Sequence, residues 1–261
     1  MIVFAAFTPH SPLLMPSIGT PEEKQLDKTA EAMRLLSSRL RKAKPDTIVI
    51  LSSHGIQHET AFSINLHDRY VTDFSRYGDL GTHKEFSPDV QMIDAIQRTL
   101  RGRGVALTLD SEEALDHSLA VPLFLLTDRM AAKIIPISYS GLGPKDHATF
   151  GRELYDALSH SPKRVAVLAA GDLSHALESN APAGFKPEGK EFDEAINEAV
   201  KQKALSKLLS LDEKVVREAA ECAYRPLLIL FGILEKMNLR SEILSYEAPH
   251  GVGYMVAQFH L

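Results

Sequence analysis

The sequence predicts an α/β fold, with a single three-layer α/β/α domain over residues 1–261 and a mostly parallel, mixed central sheet. Two observations lead to this prediction. Short apolar runs of strand length alternate with stretches of helical period along the whole chain. No repeat, low-complexity tract or linker divides its 261 residues, a length that suits one large α/β domain.

The first elements predict a βαβ unit. Ile2–Phe7 and Thr47–Leu51 are continuous apolar runs, which favour buried strands. Between them, Thr20-Pro21-Glu22-Glu23 combines an N-cap residue, a proline and two acids, a pattern typical of a helix start. Apolar residues then keep the helical period to about Lys44. Strand, helix and strand in this order predict a right-handed crossover into a parallel strand pair.

The middle of the chain continues the alternation and contains one irregular stretch. The predicted strands are Ala61–Leu66, Val105–Leu109, Lys133–Ser138 and Arg164–Ala170, and the predicted helices are Ser87–Arg101, Asp116–Met130 and Pro144–Ser159. His67–Glu85 has no clear period and is rich in charged and aromatic residues. Long aperiodic segments in compact domains are often functional, so this one is predicted to be a loop or lid.

The last third of the chain is predicted to end the domain in the same manner. The predicted helices are Glu191–Leu209, Glu213–Ala220 and Cys222–Met237, and the predicted strands are Ile243–Tyr246 and Gly253–Phe259. The alternation of strands and helices therefore runs through the whole sequence, as expected for one domain.

Composition restricts the location and the partners of the protein. A net charge of −5 without segregation argues against a nucleic-acid or anionic-membrane surface. Cys222 is the one cysteine, so no intrachain disulfide can form and a reducing compartment is favoured. Met1–Phe7 lacks the basic residues of a signal peptide, and no apolar run approaches the roughly 18 residues of a membrane span. We expect a cytoplasmic protein that binds neither nucleic acid nor membrane.

Three of the eleven histidines directly follow predicted strands. They are His10, His54 and His175, and His117 adds a fourth candidate at a helix start. Parallel strands bring their carboxyl ends to one edge of a sheet, where ligands of α/β proteins bind. Imidazole is both the commonest metal ligand and the usual acid or base near pH 7. The spacing thus indicates a metal or acid–base site without identifying a reaction.

Two carboxylates and the cysteine could complete such a site. Glu221 leads into a strongly apolar helix, where a carboxylate is costly to bury unless it is paired or metal-bound. The alternative to a metal-binding role for Glu221 is a helix cap or an ion pair with Arg225. Asp172 is expected to orient a loop or a histidine. Cys222 is interpreted as a core cysteine, with redox or metal chemistry as the alternative.

Five segments of the chain, taken in order, resemble the class III extradiol ring-cleavage dioxygenases. They are Thr8-Pro-His10-Ser-Pro-Leu13, Ser52-Ser-His54-Gly55, Leu115-Asp-His117-Ser-Leu-Ala-Val-Pro-Leu123, Gly171-Asp-Leu-Ser-His175 and Glu221-Cys-Ala-Tyr-Arg225. The resemblance is to the LigB-type catalytic subunit and to the wider superfamily that includes Memo-type proteins. It spans essentially the whole chain, so residues 1–261 are expected to form one LigB-like catalytic domain.

The resemblance implies a non-heme Fe(II) enzyme that uses O₂ to open the ring of a catechol-type or aminophenol substrate. The family's ligands correspond to His10, His54 and Glu221, a 2-His-1-carboxylate set that leaves positions open for substrate and O₂. The family's acid–base histidine corresponds to His175. A second active-site histidine, which contacts the substrate or oxygen, corresponds to His117.

Two other functions remain open at this point. One is a Memo-like metal-binding or redox protein without ring cleavage, whose partner is another protein. The other is a zinc hydrolase, because two histidines and a glutamate also suit Zn(II) and its bound water. Some LigB-type enzymes work with a separate small subunit, which is a further partner to consider. A homo-oligomer is expected in either case.

Overall fold

The structure is a computed structural model that describes residues 1–20 and 25–261. Its strands are β1 (Ile2–Thr8), β2 (Thr47–Ser52), β3 (Phe62–Asn65), β4 (Tyr70–Phe74), β5 (Asp79–Phe86), β6 (Leu107–Asp110), β7 (Ala114–Leu115), β8 (Lys133–Ser138), β9 (Val165–Ala170), β10 (Arg240–Glu247) and β11 (Tyr254–His260). Its helices are α1 (Asp27–Ala43), α2 (Val90–Gly102), α3 (His117–Leu126), α4 (Pro144–Ser159), α5 (Pro187–Gln202), α6 (Leu205–Leu209), α7 (Glu213–Glu218) and α8 (Tyr224–Leu234). The helix start predicted at Thr20-Pro21-Glu22-Glu23 lies largely outside the described residues.

The central sheet contains eight strands in the order β10-β11-β1-β9-β2-β8-β3-β6. Its middle strands β1, β9, β2 and β8 are parallel. Antiparallel pairs join β11 to β1 and β3 to β8. Buried apolar residues form one cluster on each face of the sheet, and the helices that contribute to them cover both faces. The predicted three-layer α/β/α fold with a mixed sheet is confirmed.

The predicted pairing of the first two strands is wrong in one respect. β1 and β2 are parallel, but β9 lies between them and is hydrogen-bonded to both. The reason is that every residue of β9 is buried, so this strand requires a neighbour on each edge and a helical layer on each face. The insertion of β9 also brings three histidine-bearing strand ends side by side.

The segment His67–Glu85, predicted to be a loop, forms most of a β-hairpin instead. β4 and β5 pair antiparallel, and β7 adds a third strand to this small second sheet. Tyr70, Phe74 and Phe86 are buried in the core beside the central sheet, and they anchor the hairpin. Most other side chains of β5 are exposed, which hides the strand period from a sequence analysis. The tip of the hairpin is a 3-10 turn, Ser75–Tyr77.

Two helices of one outer layer, α4 and α8, pack against each other through glycines. α4 and α8 cross so closely that a Cβ on Gly151 would overlap the carbonyl oxygen of Ile229, and one on Gly232 would overlap that of Ala148. Only glycine allows such an approach of two helix backbones. This contact fixes α8, and with it the turn that precedes the helix.

The other predicted helices differ from the structure mainly at their ends. The helix predicted over Glu191–Leu209 is interrupted at Lys203, whose φ of 52° is left-handed, so it forms α5 and α6. The helix predicted to reach Met130 ends at Leu126. Among the described residues, no helix combines the length and the apolar character that a membrane span requires.

Candidate metal centre and active site

The carboxyl ends of β1 and β2 bring His10 and His54 into contact. Their ring centroids are 5.0 Å apart. His117, at the start of α3, completes a group of three imidazoles, 5.0 Å from His10 and stacked on His54 at 4.6 Å. Because β9 holds β1 and β2 on either side, these contacts follow from the strand order. The structure therefore joins three of the predicted site residues.

His10 is the most enclosed member of this group, with only 2% of its surface exposed. Its backbone N–H donates to Oδ1 of Asp172 at 3.0 Å. Its Nδ1 atom is buried and has no hydrogen-bond partner within the described residues. Burial lowers the pKa of His10 well below its usual value, and His54 and His117 lower it further. A neutral imidazole with an unpartnered nitrogen is suited to bind a metal.

Cys222 contributes a third potential ligand in the turn before α8. Its Sγ lies 3.7 Å from Nε2 of His10. Ligand atoms of His10, His54 and Cys222 all lie within 4.8 Å of one another, the one such set of three in the described part of the chain. Burial raises the pKa of the thiol well above its usual value. Two imidazoles and a sulfur form a donor set that suits a transition metal such as iron, zinc or copper.

Glu221, the carboxylate predicted to bind metal, occupies the neighbouring position but is not a member of this set. Its Oε2 accepts the backbone N–H of Tyr224 at 2.6 Å in the first turn of α8. Burial raises its pKa to about 7. The capping interaction considered from the sequence is thus present, and the role of Glu221 as a metal ligand stays a prediction.

Asp172 lies behind His10, where it can orient that ring. Besides the bond to the His10 N–H, its Oδ2 is 3.6 Å from His10 Nε2. Burial raises the pKa of Asp172 to about 6. The hydrogen bond from His10 and the charges of the surrounding histidines lower this pKa, but the effect of burial is larger. A carboxylate beside a metal-binding histidine fixes its orientation and raises its basicity.

His175 is reached by the short segment that follows β9. Its backbone N–H donates to the carbonyl of Ala219 at 2.9 Å. Its Nδ1 is buried and, like that of His10, finds no hydrogen-bond partner among the residues described. His175 is also one of the charges that lower the pKa of Asp172, so it belongs to the same electrostatic neighbourhood. Its acid–base role stays a prediction.

His117 and His54 also line a cavity of about 430 Å³. Other lining residues include Arg76 and Tyr77 from the hairpin tip, and the Tyr77 ring lies 5.8 Å from that of His117. Partial desolvation lowers the pKa of both histidines. A volume of this size fits a small molecule, since ligand pockets span roughly 300–1,000 Å³. The histidine group thus borders a cavity that can hold a substrate.

Two features of this site were not assigned from the sequence. The sequence favours a core cysteine at Cys222 and leaves redox or metal chemistry as the alternative, although its position directly after Glu221 places it in the same motif. Tyr77 belongs to the stretch predicted as a lid, and its aromatic character was the available signal. Neither signal specifies which side chain faces the histidines, because that depends on the packing of α8 and of the hairpin.

Comparison with protein families gives one match that covers nearly the whole chain. The model described as the catalytic LigB subunit of aromatic ring-opening dioxygenase matches residues 4–257. This match includes every residue of the candidate site.

Three proteins are among those that are similar to this chain. "Protein CA_C1420" of Clostridium acetobutylicum is 27% identical over 95% of this chain, and a 3,4-dihydroxyphenylacetate 2,3-dioxygenase of Escherichia coli is 26% identical over 63% of it. The matched regions make up 55% and 63% of those two proteins. The crystal structure of uncharacterized protein JW3007 from Escherichia coli K12 superposes with a TM-score of 0.72 at 18% identity, covering 99% of this chain and 100% of that one. This last similarity concerns the fold alone.

Proposed function

Because the chain belongs to the family of catalytic LigB subunits of aromatic ring-opening dioxygenases, we propose that it is a metal-dependent dioxygenase. Its substrate would be a catechol-type or aminophenol ring, opened with O₂. The observation that carries this proposal is the position of the histidine group, which combines a set of metal ligands with one wall of a small-molecule cavity. His54 belongs to both the ligand set and the cavity wall, so the two reactants, the ring substrate and O₂, can be held together.

The proposed metal is Fe(II), held by His10 and His54 together with a third ligand. The geometry favours Cys222 in that role, whereas the sequence motif favours Glu221. When bound, Fe(II) would supply a centre with open positions at which a diol and O₂ meet. The unpartnered Nδ1 of His10 fits such an ion, because a buried polar atom without a partner is rare unless something else binds it.

The chain's own residues would position the substrate and move its protons. Tyr77 and His117 form an aromatic side of the cavity, against which a flat ring can pack. The lowered pKa of His117 keeps its imidazole neutral, so it can accept a proton or a hydrogen bond from a substrate hydroxyl. His175 is proposed to be the acid–base residue that takes the proton of the second hydroxyl. Enclosure of His10 keeps water away from the metal side.

A metal-binding or redox protein without ring cleavage is the second candidate. The specific observation in its favour is the Cys222 sulfur facing His10, because thiolate ligands suit soft metals and electron transfer. A zinc hydrolase differs from both by the identity of the metal. A Cys222 that binds metal must stay reduced, which favours a cytoplasmic location as part of the proposal. A homo-oligomer and a small partner subunit stay predictions.

The experiment that tests the proposal begins with metal content. The protein is purified under anaerobic conditions, its iron and zinc are measured, and Fe(II)-loaded protein is assayed in an oxygen electrode with a panel of catechols and aminophenols. Oxygen uptake with a ring-fission product is expected for the dioxygenase. Protein that contains iron but takes up no oxygen with any substrate favours the redox protein. Protein that contains zinc and has hydrolytic activity favours the hydrolase.

A matched pair of variants identifies the third ligand. Cys222→Ser removes the sulfur, and Glu221→Gln removes the charge but keeps an oxygen that can accept the Tyr224 N–H. We expect Cys222→Ser to lose metal and Glu221→Gln to retain it, both measured against wild-type protein by metal analysis after dialysis. The opposite result would assign the ligand to Glu221.

A further inference from the structure

A second cavity lies at the opposite edge of the central sheet, where the parallel strands begin. Its volume is about 780 Å³, and it is formed by the end of α1, the segment before β8 and the residues that precede β2 and β9. The metal ligands follow the carboxyl ends of the strands, so this amino-edge cavity, as we call it, is separate from the candidate active site. No part of the proposed reaction uses it.

The amino-edge cavity is lined by an unusual concentration of positive charge. Its cationic lining residues are Arg41, Lys44, Arg129, Lys133 and Lys163. The single lining carboxylate, Asp46, already accepts the backbone N–H of Arg164 at 2.7 Å. The whole chain has a net charge of −5, so the cluster does not reflect a basic protein. Several like charges that face one cavity attract an anion strongly.

Most of these cations are available to a ligand. Lys163 is committed, because its Nζ binds both carboxylate oxygens of Asp89 at 2.7 Å. Arg129 has only an exposed contact with Asp128, at 3.6 Å. For the side chains of Arg41, Lys44 and Lys133, no hydrogen bond or ion pair is present within residues 1–20 and 25–261. Three to four cationic groups can therefore turn to an incoming anion.

The backbone around the cavity provides an independent indication. Lys44 and Arg129 both have left-handed backbone conformations, with φ of 45° and 55°. This conformation is unfavourable for a residue other than glycine, and glycine is the usual residue just after a helix. Strained residues concentrate at functional sites. Both left-handed positions line the cavity and carry cationic side chains, and Lys44 forms the C-cap of α1.

The chemistry of the lining indicates the kind of anion. Lysine and arginine bind phosphate oxygens through charge-assisted hydrogen bonds, and several such groups spread over one cavity match several phosphates. Pro45, Met130 and the alanines at 131 and 132 add apolar surface to the same cavity. We propose that the amino-edge cavity binds a small molecule that carries two or more linked phosphate groups.

The proposal is tested by isothermal titration calorimetry on the full chain, in buffer without added divalent metal. The probes are inorganic phosphate, pyrophosphate and ATP. We expect pyrophosphate and ATP to bind at least about tenfold more tightly than inorganic phosphate, since each added charge-assisted contact stabilises the complex. Equal affinity for all three probes, or no binding of pyrophosphate and ATP at millimolar concentration, would overturn it.

Two double variants with equal loss of charge locate the site. Lys44→Gly with Lys133→Ala removes two cavity lysines, and glycine at position 44 relieves the left-handed strain, so folding is preserved. Lys28→Ala with Lys207→Ala is the control, because both lysines are exposed helix residues outside the cavity. The first variant is expected to bind pyrophosphate about tenfold or more weakly, and the control to bind like wild type. Equal weakening in both would place the anion elsewhere and refute the site.

Discussion

The two sides of the candidate site differ sharply in burial. On one side, His10 and Asp172 are 2% and 5% exposed and are joined through a backbone hydrogen bond. On the other side, His54, His117 and Tyr77 are partly open to a cavity. A metal requires ligands held in a fixed geometry, whereas a substrate requires an entrance. We therefore propose that the buried side of the histidine group holds the metal and the open side the substrate, with His54 at the border of both, and four predictions test this division.

The largest expected effect is on metal affinity, which should differ between variants of His10 and His117 although the two ring centroids are only 5.0 Å apart. His10→Ala should lower metal affinity by more than about 100-fold, the upper range for loss of a supporting partner alone. His117→Ala should retain the metal, because His117 is outside the set of ligands around Cys222. Metal analysis after dialysis measures both. Equal metal loss in the two variants would contradict the division of the site.

A second prediction concerns Asp193, a buried carboxylate that binds the backbone of Ser174, between Asp172 and His175 in the chain. Its carboxylate accepts the Ser174 N–H at 2.8 Å and the Tyr246 O–H at 2.7 Å, and burial raises its pKa to about 6. An unfolded aspartate has a pKa near 3.9, so the folded protein holds this proton more tightly. The resulting stabilisation is fully present below about pH 4 and is lost as the pH rises through about 6, a change of about 3 kcal/mol.

The matched variant for this prediction is Asp193→Asn, which cannot ionise but can still accept the Ser174 N–H. Urea unfolding of both proteins between pH 4 and pH 8 measures the difference in unfolding free energy. We expect the wild type to lose stability relative to Asp193→Asn by about 3 kcal/mol over this range. Parallel pH profiles would show that Asp193 is already ionised at pH 4 in the folded protein.

The third prediction tests the support of His10 by Asp172. Asp172→Asn keeps an oxygen that can accept the His10 N–H but removes the negative charge next to the ring. Metal affinity should fall about 10- to 100-fold, as for other partners of metal-binding histidines. Competition with a metallochromic chelator measures the affinity. An unchanged affinity would mean that Asp172 acts only through the backbone of His10.

The smallest effect is expected on the open side. Tyr77→Ala removes an aromatic ring 5.8 Å from His117 without touching the ligand set. We expect a several-fold higher KM for an aromatic substrate and unchanged metal content, since a ring contact contributes about 0.5–1.5 kcal/mol. Leu80→Ala, on the same hairpin and 87% exposed, is the control. A loss of metal from Tyr77→Ala would show that the hairpin belongs to the metal side.

Elements whose structure is determined by a local pattern could be predicted from the sequence. Lys133–Ser138 and Pro144–Ser159 were predicted with the bounds observed for β8 and α4, because an apolar run and a proline-initiated amphipathic segment are local signals. The hairpin of β4 and β5 was missed because its stability comes from Tyr70, Phe74 and Phe86, which pack on a distant core. The strand order was not predicted because the sequence alone does not specify between which two strands β9 lies.

For the site, the proximity of the histidines could be predicted from the sequence, whereas Glu221 as the third ligand stays a prediction. His10, His54 and His117 lie close together because strand and helix ends place them there, and that much follows from periodicity. The choice between Glu221 and Cys222 depends on how the turn before α8 is rotated. That rotation is determined by the close packing of α8 on α4 at Gly151 and Gly232, a long-range contact without a local signature.

The position of β9 between β1 and β2 also determines when the site can form during protein synthesis. Among the strands that the structure describes, β1 pairs with β9 and β11 alone, so it has no strand partner until β9, which ends at Ala170, has been made. The sheet therefore cannot bring His10 and His54 together until β9 has been synthesised, and Cys222 follows later in the chain. Long-range pairing of this kind makes assembly a late event. Any metal held by all three must therefore be loaded after residue 222 has been synthesised.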